Sequence, residues 1–222
     1  MMKTKIQKKS KNNNKEFVKE LLFRLKQNYP DANCALHHNN PFQLLVATIL
    51  SAQCTDKRVN MVTPILFDRF PDAKSMAEAP IAEVEDIIKS TGFFRSKSKN
   101  IKLASTSIVD EFNGRVPDMM EKLTILPGVG RKTANVVLGN AFGKNIGVVV
   151  DTHVKRISNL LGLTKHSDPV KIEQDLIKQI PQEQWTLFSH YLIHHGRGIC
   201  VARRPDCAHC FLQDICPSST GV

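Results

Sequence analysis

Cys200, Cys207, Cys210 and Cys216 crowd into the C-terminal stretch at C-x6-C-x2-C-x5-C, while Cys34 and Cys54 stand alone far upstream. In a chain with no export signal, thiols at that density read as a metal site rather than as disulfides. Structural zinc prefers two C-x2-C knuckles, or knuckles with histidine, and only Cys207 and Cys210 form one. A 4Fe-4S cluster also takes four cysteines and tolerates unequal spacing, because its irons spread over a larger cube. The spacing leans toward iron-sulfur and leaves zinc open. His209, inside the knuckle, reads as a solvated loop residue. Arg203 and Arg204, carried on the same loop, could face a phosphate backbone.

The second constellation is Leu126-Pro-Gly-Val-Gly-Arg-Lys-Thr-Ala134, followed by Val136, Val137 and Leu138. It reads as helix, tight glycine turn, helix. Gly128 and Gly130 would permit positive backbone dihedrals and close approach. Backbone N–H groups at the start of the next helix, beside Arg131, could then meet a phosphate without reading any base. Lys132 falls in the first turn of that helix, and the neutral form of its amine is a nucleophile. A lysine in such a place is otherwise a phosphate contact. Downstream, Val148-Val-Val-Asp-Thr-His153 places Asp151 where an apolar run gives way to a helical pattern, an N-cap position. A helix over 132–142 rises about 16 Å, and eight extended residues return up to about 26 Å. Asp151 can therefore come back beside Lys132, making a nucleophile and proton-handling pair.

Helices must carry these groups. Apolar residues recur at helical spacing in Val18, Leu21, Leu22 and Leu25; in Phe42, Leu45, Val46 and Ile49; in Val59, Val62 and Leu66; and in Ile101, Ala104, Ile108 and Phe112. The pattern continues through Val154, Ile157 and Leu161, then Ile172, Leu176 and Ile180, then Trp185, Phe188, Leu192 and His195. Pro41, Pro80 and Pro169 suit first helical turns, and Gly92, Gly114, Gly143 and Gly162 suit helix ends. Only Ile146 to Val150 is extended, so the fold class is all-α.

The whole chain has 222 residues, 31 Lys+Arg against 21 Asp+Glu for a formal charge of +10, and 41% hydrophobic residues. These values describe a soluble, basic, intracellular globular protein, and exclude collagen-like, low-complexity and disulfide-scaffold classes. No apolar run approaches the roughly 18 to 20 residues that span a bilayer. Seven lysines against Glu16 put +6 on residues 1–19. Residues 1–14 read as a disordered basic tail, either a solvated arm or a sequence-blind contact with polyphosphate.

Taken together, L-P-G-V-G-R-K-T-A, V-D-T-H, the cysteine cluster and Ser51-Ala-Gln-Cys-Thr-Asp56 resemble endonuclease III, in the same order and at similar separations over about residues 15–217. The resemblance implies two helical domains flanking a cleft, one at about 34–145 with the helix-hairpin-helix, the other built from 15–33 plus 146–222 with a 4Fe-4S cluster loop. It implies a bifunctional DNA glycosylase of base excision repair, located in a bacterial-type cytoplasm at the nucleoid and acting as a monomer. Its substrate would be double-stranded DNA carrying oxidised pyrimidines or abasic sites. Lys132 would attack C1′ of an extruded nucleotide and form a Schiff base that undergoes β-elimination; Asp151 would assist proton transfer. Gln53 and Phe93 would enter the space left in the duplex, as wedges that repay part of the unstacking cost. Ordinary core packing is the alternative for Phe93. Thr152, His153, Arg95, Lys97 and Lys99 could contact phosphates, a solvated face being the alternative.

Two departures stand out. Thr124 occupies a position where an acidic residue is expected, and Phe93 replaces a smaller aliphatic wedge. The related adenine-mismatch glycosylases lack the nucleophilic lysine and carry a catalytic glutamate near the position of Thr48; no acid occurs from Phe42 to Thr55 here. A silent DNA-binding module would not need both Lys132 and Asp151. His190 and His194 share a helix face, but Tyr191 stands where a zinc protease needs glutamate.

Overall fold

The computed structural model describes residues 2–219. Eleven α-helices and two short 3-10 turns form the described chain, without a strand. The helices are α1 (Met2–Asn28), α2 (Pro41–Leu50), α3 (Asp56–Arg69), α4 (Ala73–Glu78), α5 (Ile81–Ile88), α6 (Phe94–Phe112), α7 (Met120–Thr124), α8 (Arg131–Phe142), α9 (Thr152–Leu160), α10 (Pro169–Ile177) and α11 (Trp185–Gly198). Residues 147–150, expected as an extended run, lie outside any helix and form no strand. No described helix is long and apolar enough to cross a membrane.

The chain divides into two compact units. One is Cys34–Ile146, holding α2 to α8; the other takes both ends of the chain, up to Asn33 and from Gly147 onward. In the first, α2 is apolar all round, and residues on every side of it, from Phe42 to Leu50, are buried. Such a helix serves as a central post. It packs on α8, α3 and α6. Its start is set by Asn40, whose side chain accepts from the Gln43 N–H, and by Pro41 at the first helical position. α4 begins at a reciprocal capping box of Asp72 and Ser75. Pro80 sits one residue outside α5, at its N-cap, instead of in the first turn.

In the second unit the core runs from Val18, Leu21 and Leu25 of α1 through Val154, Ile157, Ile172 and Leu176 to Phe188 and Leu192 of α11. α9 crosses α11 at Gly196, where a Cβ would lie 2.6 Å from His153 Nδ1 and 2.9 Å from Ile157 Cδ1. Glycine there lets the two helices close. α1 extends through the basic segment that the sequence reads as a disordered tail, a stretch free of proline and glycine up to Tyr29. Side chains are described from Asn14 onward.

Candidate active site and iron-sulfur centre

α11 runs out at Gly198, and the Ile199 and Cys200 N–H groups both close on the His195 carbonyl, at 3.0 and 2.8 Å. From there to Ser219 the chain turns without a helix. Cys210 N–H bonds the Cys207 carbonyl at 3.2 Å and Cys216 N–H the Leu212 carbonyl at 2.8 Å. All four cysteines are free thiols, half-buried, and line one cavity floored by Ile157, Leu161 and Leu212. Among the described residues, no three His, Cys, Asp or Glu side chains converge tightly enough to hold a single ion. Four thiols spread round an apolar cavity suit the donor set of a multi-iron cube.

The surroundings also fit an anionic cluster. Arg156 donates to the Cys200 carbonyl at 2.6 Å and lies 3.5 Å from its sulfur, and the Leu212 N–H points at Cys210 Sγ at 3.4 Å. Burial pushes the Cys200 and Cys210 thiols up, and for Cys200 the Arg156 guanidinium works against that; ligation to iron would supply further compensation. His195, 2% exposed, sits 3.0 Å from Tyr29 Oη through Nδ1 and 3.7 Å from Cys210 Sγ through Nε2. Burial first, then the cysteines, raise Tyr29 to about 12. His209 is exposed and pairs with Asp206 at 2.9 Å, as a loop residue. Arg203 and Arg204 are exposed on the loop.

In the other unit, α7, a turn over 125–130 and α8 make the hairpin. Leu126 and Val129 point inward, and the Val129 N–H bonds the Leu126 carbonyl at 3.1 Å. Gly128 takes φ +77°, and a Cβ there would press on Asn100 Cβ at 2.9 Å. Gly130 departs from the expectation of a second positive dihedral. It is the extended N-cap of α8 at φ −91°, and nothing lies within 4 Å of where its Cβ would be. Because an N-cap needs β-region backbone, its glycine is demanded neither by dihedral nor by protein packing. No side chain caps α8, so its first-turn N–H groups face outward with the exposed Arg131 and Lys132. Thr124 is exposed, and its hydroxyl donates back to the Met120 carbonyl at 3.0 Å.

Gln53 and Phe93 share a trait that sequence reasoning missed. Both are left-handed, at φ 52° and 48°, and among the described residues Asn113 is the one other non-glycine with positive φ. A side chain in that region costs of order 1 kcal/mol. Phe93 is 68% exposed, so it is no core aromatic, and Gln53 is exposed as well. Lys97 corrects another expectation: only 5% exposed, it cannot meet a phosphate, because its ammonium donates to the Leu50 and Thr91 carbonyls, each at 2.8 Å. Nothing in residue type or spacing marks those partners. Arg95 and Lys99 on α6 are exposed, Arg95 lying over the Phe94 ring at 5.0 Å.

Asp151 is the N-cap of α9, accepting from the Val154 N–H at 2.8 Å. Thr152 is exposed in the first turn, and His153, half-buried, approaches Arg156 at 3.5 Å. Arg156 had no sequence signal either, since its partners are backbone oxygens of α11 and the cluster loop.

Comparison with known proteins accounts for both units. Residues 46–182 match the HhH-GPD superfamily base excision DNA repair proteins, and residues 200–216 match the iron-sulfur binding domain of endonuclease III. Endonuclease III of Synechocystis is 58% identical over 205 residues, 92% of this chain and 94% of that protein. Endonuclease III of Escherichia coli K12 is 40% identical over 197 residues, 89% and 93% of the two chains. A solved non-covalent endonuclease III–DNA complex superposes with TM-score 0.87 at 42% identity, covering 92% of this chain and 96% of that one. A trapped endonuclease III–DNA covalent intermediate gives 0.86 at the same identity and coverage. With profile, curated relatives and solved structures agreeing over nearly the whole length, the chain belongs to the endonuclease III family of helix-hairpin-helix base excision DNA repair proteins.

Proposed function

We propose that Lys132 is the nucleophile and Asp151 the proton-handling carboxylate of a bifunctional DNA glycosylase and abasic-site lyase that removes oxidised pyrimidines from duplex DNA. The family's activity is glycosylase and lyase chemistry on DNA; the assignment to these residues is the present reading. One observation carries it: Lys132 is an exposed amine in the uncapped first turn of α8, two residues after Gly130, a glycine that neither its backbone angles nor its neighbours require. A phosphate seated on those N–H groups would explain both.

The steps balance without an oxidant. The base is first extruded, since C1′ of a stacked nucleotide is out of reach. The neutral Lys132 Nζ bonds to C1′ as the C1′–N bond breaks, and the base leaves with a proton. Asp151 offsets positive charge developing on the sugar and returns protons. The sugar ring then opens to a protonated Schiff base, a proton leaves C2′, and the C3′–O bond breaks with the 3′ phosphate as leaving group. Hydrolysis of the imine returns Lys132.

Gly128, Gly130 and Arg131 would hold one stretch of backbone, with Thr152, His153 and Arg203 reaching other phosphates. Gln53 and Phe93 would occupy the vacated gap in the stack, where a strained but exposed side chain finds its use. Cys200, Cys207, Cys210 and Cys216 would hold the 4Fe-4S cluster, which supplies structural closure of the loop carrying Arg203; no step of base removal passes through it. A cytoplasmic, nucleoid-associated location and a monomeric state go with this reading.

Borohydride reduction on a duplex with one oxidised thymine tests the assignment. Wild-type protein is expected to give a covalent adduct, Lys132→Ala none, and Asp151→Asn a strongly slowed yield. An adduct that survives in Lys132→Ala would overturn the nucleophile.

A further inference from the structure

We infer that Lys97 is a positioning residue that fixes the Gln53 and Phe93 loops in one mutual register, so that both side chains enter the same gap in the duplex. The inference rests on the reading of Gln53 and Phe93 as wedges.

Leu50 is the last residue of α2, and its carbonyl is among those a helix cannot pair within itself. Thr91 closes the 3-10 turn at 89–91. The two carbonyls belong to segments some forty residues apart in sequence, three residues before Gln53 and two before Phe93. A single buried ammonium donates to both, at 2.8 Å each. The Lys97 backbone N–H also bonds the Phe93 carbonyl at 3.0 Å, so Lys97 is fastened to the Phe93 loop twice.

Lysine is an expensive choice for this place. An ammonium loses its water there, and burial holds Lys97 below the ordinary lysine range, a shift that the nearby Cys54 thiol opposes. A methionine would fill similar space without that cost. What methionine could not do is bond two strange-angled loops at one atom, at the negative end of the α2 dipole. Non-glycine residues persist at positive φ only where the surroundings over-determine them. Here the shared ammonium does so for both wedge loops together.

The test uses the holoprotein and two substrates: a duplex with a single oxidised thymine, and a single-stranded oligonucleotide with an abasic site, which leaves no gap to fill. The readout is the ratio of single-turnover cleavage rates, duplex over single strand, for Lys97→Met, for Gln53→Ala with Phe93→Ala, and for all three combined. Lys97→Met is expected to lower the ratio about tenfold or more, and to lower it no further in the protein already lacking both wedges. General loss of structure would slow both substrates and leave the ratio alone. If Lys97→Met yields no folded protein, Lys97→Gln, which keeps a donor but cannot reach both carbonyls, carries the same comparison. A ratio that falls for the wedge variants but not for the Lys97 variant, or falls by independent factors in the combined protein, overturns the inference and leaves the wedges standing. A ratio unmoved by removing both wedges overturns the wedge reading and the inference with it.

Discussion

At the scale of single residues, the site is marked by places where the protein accepts a local cost with no internal return. Gln53 and Phe93 hold left-handed backbone angles while exposing their side chains. Neither gains burial for it, so removing the side chain should relieve the strain. Gln53→Gly and Phe93→Gly are each expected to raise stability by about 0.5–1 kcal/mol, read from urea unfolding midpoints, while lowering base release from duplex DNA. Variants that are both less stable and fully active would mean that the side chains serve the fold instead. None of this was visible in the sequence, because neither position is a glycine and neither neighbours a turn dipeptide. Cys200, Cys207, Cys210 and Cys216, by contrast, stand out by residue type and spacing, and all four line one cavity.

At the scale of elements, long amphipathic helices declare themselves and short ones do not. The stripes Val59, Val62, Leu66 and Ile101, Ala104, Ile108 are buried as their period requires. α4, α5 and α7, of six, eight and five residues, offer too few turns for a period to emerge. A glycine pair does not tell which member needs its freedom: Gly128 takes a positive φ, while Gly130 is an extended N-cap. The N-cap of α9 gives a sharper case, because Asp151 has a structural duty and a proposed chemical one in the same carboxylate. Asparagine keeps the acceptor for the Val154 N–H and loses only the charge at the helix N-terminus, about 0.5 kcal/mol; alanine loses both, about 1–2 kcal/mol. Asp151→Ala should therefore unfold at lower urea than Asp151→Asn, yet both should release base at comparably depressed rates. Near-normal base release by Asp151→Asn would leave Asp151 as a cap and nothing more.

At the scale of the whole molecule, each unit has its own apolar core, and the cysteine loop belongs to only one of them. Residues 199–219 contain no helix, and Leu212 is their one fully buried apolar side chain. The loop is nonetheless tied to α1: Arg24 donates to the Phe211 carbonyl at 2.9 Å and forks onto the Asp214 carboxylate, and Tyr29 packs edge-on against Phe211 with ring centres 5.6 Å apart. The Arg24 pair is solvent-screened and worth little by itself, so under the proposed assignment the loop's order would come largely from its four thiolates and their iron. Losing the cluster, through Cys207→Ser, should first raise amide exchange over 199–219. It should then raise exchange over the end of α1 that leans on the loop, around Leu25 to Tyr29. Amides within α2, α6 and α8 should keep their protection, since the core around Leu45, Ile101 and Val137 contains none of these groups. Loss of protection spread evenly over both units would instead make the cluster a staple for the entire chain. Unchanged exchange over 199–219 would show that the loop holds its shape without iron.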